Sequence, residues 1–203
     1  MERRWVQRLE QALQLRNGPR AGWQTPAESA ARLWQFTSPM DERELLSPGS
    51  VSQMRLNGRM PLNGEYEPSS TDFVRQQVAD YERTDGAEGG TMMGLPVIIL
   101  TTLGASSGKI RKTPLMRVEA DGEYAVVASK GGAPDNPSWY HNVIAHPLVE
   151  LQDGAERHDY TARELTGRER EAWWAKCVEA FPQYADYAAN TARTIPVLLL
   201  TRA

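Results

Sequence analysis

The chain has 203 residues, a net charge of −3 and a pI near 5.7, which allows one domain plus an appendage and shows none of the cationic surplus that nucleic-acid binding demands. No apolar run reaches the length of a membrane span. The early Arg3, Arg4 and Arg8 are not followed by an apolar segment with a small-residue cleavage site, and the single Cys177 excludes an internal disulfide, so a soluble protein of a reducing cytoplasm is expected.

Composition shifts near residue 60. Residues 1–59 hold nine arginines, no lysine and six acidic residues, a local balance of +3, while the remainder balances at −6. Short helical patterns at Trp5, Leu9 and Leu13 and over 27–36 are separated by Pro19, Pro26, Pro39 and Pro48, and no sustained apolar face emerges. Residues 1–59 are therefore expected to form a poorly structured extension, with Met60 as a candidate translation start and 60–203 as the folded domain.

From residue 60 the elements follow in order. Residues 70–83 suit an amphipathic helix with Phe73, Val74, Gln77 and Tyr81 near one face. Residues 96–103 are a β-branched apolar strand, and 113–120 is expected to pair with 123–128 across Asp121-Gly122, a two-residue hairpin signal. Asn136-Pro137 reads as an N-cap followed by proline at the first position of a helix over 137–145. A second hairpin joins 148–152 to 156–165 across Asp153-Gly154. Thr166 and Glu169 form a capping box opening a helix that buries Trp173, Cys177, Ala180 and Phe181, and 195–201 closes the sheet. Hairpins dominate, so the fold class expected is α+β, a mostly antiparallel small barrel with flanking helices rather than a doubly wound parallel sheet.

Two stretches carry polar chemistry. Residues 128–142 join a strand end, the Gly131-Gly132 turn and a helix start, a corner where backbone can approach a ligand and N–H groups attract anions. Gly104-Ala105-Ser106-Ser107-Gly108-Lys109 resembles a phosphate loop only superficially, with three intervening residues where four belong and Ile110 in place of the magnesium-binding hydroxyl. Its serines, with Lys109, Arg111 and Lys112, still assemble hydroxyls and cations in one turn; a solvated hairpin turn is the duller alternative. His141 and His146 have the wrong spacing for two ligands on one helical face, so no metal is expected. Cys177, on an apolar stripe, reads as a buried small hydrophobe.

Residues 60–203 resemble the deazaflavin (coenzyme F420)-dependent nitroreductase family of the split β-barrel flavin and deazaflavin oxidoreductases. The resemblance rests on Met60-Pro61-Leu62-Asn63-Gly64-Glu65-Tyr66, on the run from Pro96 to Gly104, on Gly108, Arg111, Pro114 and Leu115, on Ser129 to Asn142, and on Phe181, Tyr184 and Tyr187 before Arg193, Ile195 and Pro196. It implies a split β-barrel and, as cofactor, coenzyme F420, an 8-hydroxy-5-deazaflavin with an anionic phosphate and polyglutamate tail; FMN on the same barrel is the lesser alternative. Ala105, Ser106 and Ser107, with Arg111, Lys112, Thr113, Pro114, Leu115 and Met116, would lie along tail and ring, Lys109 and Lys112 adding counter-charge. Val127, Ala128, Ser129, Lys130 and Gly131, with Ser138, Trp139, Tyr140, His141 and Asn142, would complete the pocket.

The implied reaction passes a hydride from the reduced cofactor to a quinone-like or nitroaromatic acceptor, with Ser129, Tyr184, Tyr187 or solvent supplying the proton and Tyr184 and Tyr187 shaping the acceptor wall. Ser106 stands where the family commonly has a basic residue, which motivates a rival reading as a non-catalytic deazaflavin or apolar-ligand carrier. Phe181 and Met116 replace hydroxyl-bearing positions of the nitroimidazole-activating branch, which argues against that acceptor. The resemblance admits a monomer or homodimer and a peripheral contact with the inner face of the cell membrane, although helix 70–83 is too polar for firm insertion.

Overall fold

The computed structural model describes residues 62–203; the extension over 1–59 and the candidate start at Met60 lie outside the described residues. Helix α1 (Asp72–Thr84) precedes strands β1 (Thr91–Met92), β2 (Leu95–Leu103), β3 (Ile110–Met116), β4 (Glu119–Ala120) and β5 (Glu123–Val127). A 3-10 turn (Lys130–Gly132) leads to α2 (Ser138–Ala145), then β6 (Leu148–Asp153), β7 (Glu156–Glu164), α3 (Gly167–Ala180), α4 (Gln183–Ala189) and β8 (Val197–Arg202).

The strand pairings are antiparallel and run β3–β2–β6–β7–β8–β5–β4. β3 continues into β4 through Arg117 and Val118, where the Arg117 N–H donates to Pro96 O (3.0 Å) and Val118 O accepts from the Ala125 N–H (2.9 Å). The ladder thus returns on itself and the sheet curls into a barrel. Side-chain alternation sends successive residues to opposite faces. Ile98, Leu100, Val126, Leu151, Leu198 and Leu200 fill the interior, stoppered by Trp139 and Val143 of α2, while Val97, Ile99, Val127 and Leu199 pack outward against Tyr81, Trp173, Cys177, Phe181 and Tyr184. Both faces being buried explains the near-continuous apolar run of β2, and each such side chain contributes roughly 1.5–3 kcal/mol.

Several boundaries differ from the sequence expectation. The first hairpin is interrupted: only Glu119 and Ala120 pair with Tyr124 and Glu123, and 113–116 pairs with β2 instead. The break falls where Arg117 donates from Nε to Asp153 Oδ2 (2.7 Å), which also accepts from the Tyr124 hydroxyl (2.8 Å), a tie that pins the kink to β5 and β6. That same carboxylate shifts the second turn by one residue. Asp153 pairs with Glu156, leaving Gly154 and Ala155 as the turn, with Gly154 at φ +61° in the first central position of a primed geometry. The capping box does not form: Thr166 is the N-cap but makes no side-chain cap bond, and the Glu169 carboxylate pairs with the Arg163 guanidinium instead of reaching back to the cap. Ala180 is only partly buried.

Cys177 is fully buried, and burial pushes its thiol up to about 12. An unfolded thiol ionises from about 8.5, so over that interval the unfolded state releases a proton that the native state keeps. Stability is undiminished below about pH 8.5 and falls by about 1.4 kcal/mol per pH unit above it. Urea melts at pH 7.5, 9 and 10 should show this slope, and Cys177→Ala should remove it between pH 7.5 and 9, leaving near pH 10 what the Tyr140 and Tyr184 hydroxyls add.

Candidate active site

The first predicted stretch links β2 to β3. Its loop is closed by the Gly104 N–H donating to Lys109 O (2.8 Å) and the Gly108 N–H donating to Gly104 O (2.9 Å). Ala105, Ser106 and Ser107 are exposed. Asn142 anchors the loop from α2: its Oδ1 accepts from the Ala105 N–H (3.0 Å) and its Nδ2 donates to Thr102 Oγ1 (3.3 Å). Two stretches far apart in sequence are thereby held together by one amide.

The cations of this loop meet an acidic segment that sequence reasoning did not connect to them. Glu65 to Glu67 lies along the start of β3, with the Glu67 N–H donating to Ile110 O (3.0 Å) and the Ile110 N–H to Glu65 O (2.9 Å). Lys109 stands 3.9 Å from Glu65 and 3.8 Å from Glu67, and the Arg111 guanidinium pairs with Glu67. These pairs remain about 40% exposed on Lys109 and 36% on Arg111, open to competition by another anion. Lys112 differs. It is enclosed by Glu82 of α1 at 2.5 Å, which Arg157 also reaches at 3.2 Å, and its ammonium lies over the Tyr66 ring.

Further along β3, Pro114 and Met116 are buried, Thr113 is half-buried, and Leu115 packs against the barrel interior. At the second stretch, Val127 joins the outer core and Ala128 the inner one. Ser129 is right-handed (φ −72°, ψ −42°) and Lys130 and Gly131 are left-handed (φ +47° and +63°), a right-to-left step of the kind found in anion-binding concavities, with the Ser129 N–H itself donating to Val127 O (2.9 Å). Gly132 follows at φ +78°, and a Cβ there would come within 3.0 Å of Tyr187 O. Only glycine lets the corner seat this closely on α4.

Asn136 does not cap α2. Pro137 is the N-cap, because the Asn136 carboxamide oxygen accepts from Arg193 Nη1 at 2.6 Å. Ser138 and His141 are exposed, and Trp139 is buried in the barrel core. Tyr140 donates to Glu164 Oε2 (2.7 Å), and burial together with that carboxylate pushes its hydroxyl up to about 12. Tyr184 is buried edge-to-face with Phe181 at 4.9 Å, in the same core as Met116. Burial holds its hydroxyl far above the ordinary phenol range, so it stays protonated at neutral pH and is a poor acid. The Tyr187 hydroxyl donates to Gln183 Oε1 (3.1 Å).

Arg193 has further partners: it donates to Ala133 O (2.8 Å) and to both Ala128 O and Ser129 O (2.9 Å each). No linear signal joins it to a corner some 60 residues upstream. Among the described residues no group of three or more His, Cys, Asp or Glu could hold a metal ion, and no helix is long and apolar enough to cross a membrane.

The family described as F420H(2)-dependent quinone reductase matches residues 73–202. The chain belongs to this family. An F420H(2)-dependent quinone reductase of Mycobacterium tuberculosis is 35% identical over 134 residues, covering 64% of this chain and 90% of that relative. A solved F420-H2 dependent reductase (FDR-A) is 57% identical with a TM-score of 0.50, covering 52% of this chain and 94% of its own. A second solved chain, described as a domain-swapped dimer, is 50% identical with a TM-score of 0.52, covering 62% and 92%. Membership of the F420H(2)-dependent quinone reductases carries the split-barrel fold, the oxidoreductase class and coenzyme F420, rather than FMN, as the cofactor.

Proposed function

We propose that this chain reduces a quinone at the expense of reduced coenzyme F420, the acceptor lying beside the 129–132 corner where that corner packs on the aromatic helix α4. The observation that carries this reading is the Asn142 bridge, which fixes the serine- and cation-bearing loop to the helix that leaves the corner.

The residues present fit the cofactor. An anionic tail needs exposed donors and cations: Ser106, Ser107 and the partly exposed Lys109 and Arg111 supply them, whereas Lys112, enclosed by Glu82, acts by holding β3 against α1. A flat ring needs a close, smooth wall, which Thr113 to Met116 and the Val127 to Gly131 backbone would provide, with Trp139 supporting it from the barrel. When bound, the cofactor supplies a hydride in a two-electron step. The chain's own task is then positioning and exclusion of water. Ser129 offers a hydroxyl beside the concavity, Tyr184 and Tyr187 line the acceptor side, and because burial makes the Tyr184 hydroxyl a poor acid the proton for the reduced acceptor comes from Ser129, Tyr187 or solvent. Met116 and Phe181 make that side apolar, which favours a quinone over a nitroimidazole.

Oxidised coenzyme F420 titrated into the full chain should bind at micromolar concentration, and the reduced form should be oxidised only when menadione is added. Binding without turnover would make the chain a carrier, and no binding would sink the assignment. Light scattering on the same sample separates a monomer from the homodimer that the domain-swapped neighbour suggests, and sedimentation with anionic vesicles tests the peripheral membrane contact against a cytoplasmic location.

A further inference from the structure

We infer that Arg193 is a positioning residue for hydride transfer, the group that holds the 129–136 corner in its ring-facing shape; this rests on the F420 reading above. Arg193 lies between α4 and β8, and its hydrogen bonds go to the corner. Its guanidinium gathers acceptors from both ends of the turn: Ala128 O and Ser129 O through Nη2, Ala133 O through Nε and the Asn136 carboxamide oxygen through Nη1. In a trans peptide the carbonyl and the following N–H point opposite ways. With the Ser129 carbonyl turned onto the guanidinium, the Lys130 N–H faces away from it.

The conformation needs such a clamp. Lys130 is a non-glycine residue at φ +47°, a state that persists only where the surroundings over-determine it. The 3-10 turn supplies two bonds of its own, from the Gly132 N–H to Ser129 O and from the Ala133 N–H to Lys130 O; Arg193 adds four more across the same few residues. The same segment anchors the corner to the barrel, since the Ala128 N–H donates to Pro196 O (2.9 Å). Lysine cannot replace this fork, because an ammonium is a compact point donor without the planar spread of a guanidinium. Burial lowers the affinity of Arg193 for its proton, and the nearby Asp135 charge opposes that effect.

Arg193→Gln and Arg193→Lys, each as the full chain, test the inference by three readouts. Amide hydrogen exchange over 129–136 in the cofactor-free protein should rise at least tenfold while the β6–β7 ladder is unchanged. Affinity for oxidised coenzyme F420 should fall by no more than about tenfold, because the tail contacts on the serine loop are kept and only one ring wall loosens, whereas kcat with menadione should fall by about 10²-fold, the scale of a misplacement near 1 Å. Added guanidinium should restore part of kcat to Arg193→Gln and none to Arg193→Lys. Unchanged exchange over the corner, or a kcat within twofold of the parent in either variant, would overturn the inference alone. Failure of the parent chain itself to bind or oxidise the cofactor would bring down the functional reading, and the inference with it.

Discussion

Arg111→Gln should raise the dissociation constant for oxidised coenzyme F420 by about 10- to 100-fold, the worth of one charge-assisted contact, and Glu67→Gln should lower it about two- to fivefold. The opposite signs follow from one ion pair. The Arg111 guanidinium is held by the Glu67 carboxylate, whose own N–H donates to Ile110 O, so carboxylate and anionic tail compete for the same cation. Removing the guanidinium leaves the tail with Lys109 and the serines; neutralising the carboxylate frees the guanidinium. Because both partners are partly exposed, the Glu67 effect is the smaller and should shrink as salt screens it. Fluorescence titrations at 50 and 500 mM salt measure both. Shifts of the same sign in the two variants would show that the tail binds elsewhere.

How far sequence reasoning reached follows physical range. The strand runs, the Asp121-Gly122 turn and the stripe of Trp173, Cys177 and Phe181 are local patterns, and the structure keeps them. What local pattern could not supply was competition between neighbours. Asp153 reads as a turn residue until Arg117 and Tyr124 claim its carboxylate; Asn136 reads as a cap until Arg193 takes its oxygen; Glu169 reads as half of a capping box until Arg163 pairs with it. In each case a charged group outside the local turn, six residues away for Glu169 and far along the chain for Asp153 and Asn136, offers a stronger bond than the local backbone does. The family resemblance brought the two site stretches together. It did not reveal that Glu65 and Glu67 face the loop cations, nor that Lys112 is enclosed by Glu82, because such pairings depend on side-chain reach across the curled sheet.

Trp139→Ala should destabilise the protein by about 3–5 kcal/mol, a large part of the roughly 5–15 kcal/mol that holds a domain folded, while His141→Ala, two residues on and exposed, should stay within about 0.5 kcal/mol. Trp139 is 6% exposed and stands in the core with Leu100, Val126 and Leu198, so its removal opens a void under α2. That helix carries Asn142, the tie to Ala105, and loosening it should weaken cofactor binding in step with the loss of stability. Trp139→Phe, which refills most of the volume, should recover both together. Urea melts and cofactor titrations on the three variants make the comparison. A Trp139→Ala chain that melts like the parent yet no longer binds coenzyme F420 would show the indole to be a direct wall of the ring pocket, with the barrel closed by the remaining side chains alone.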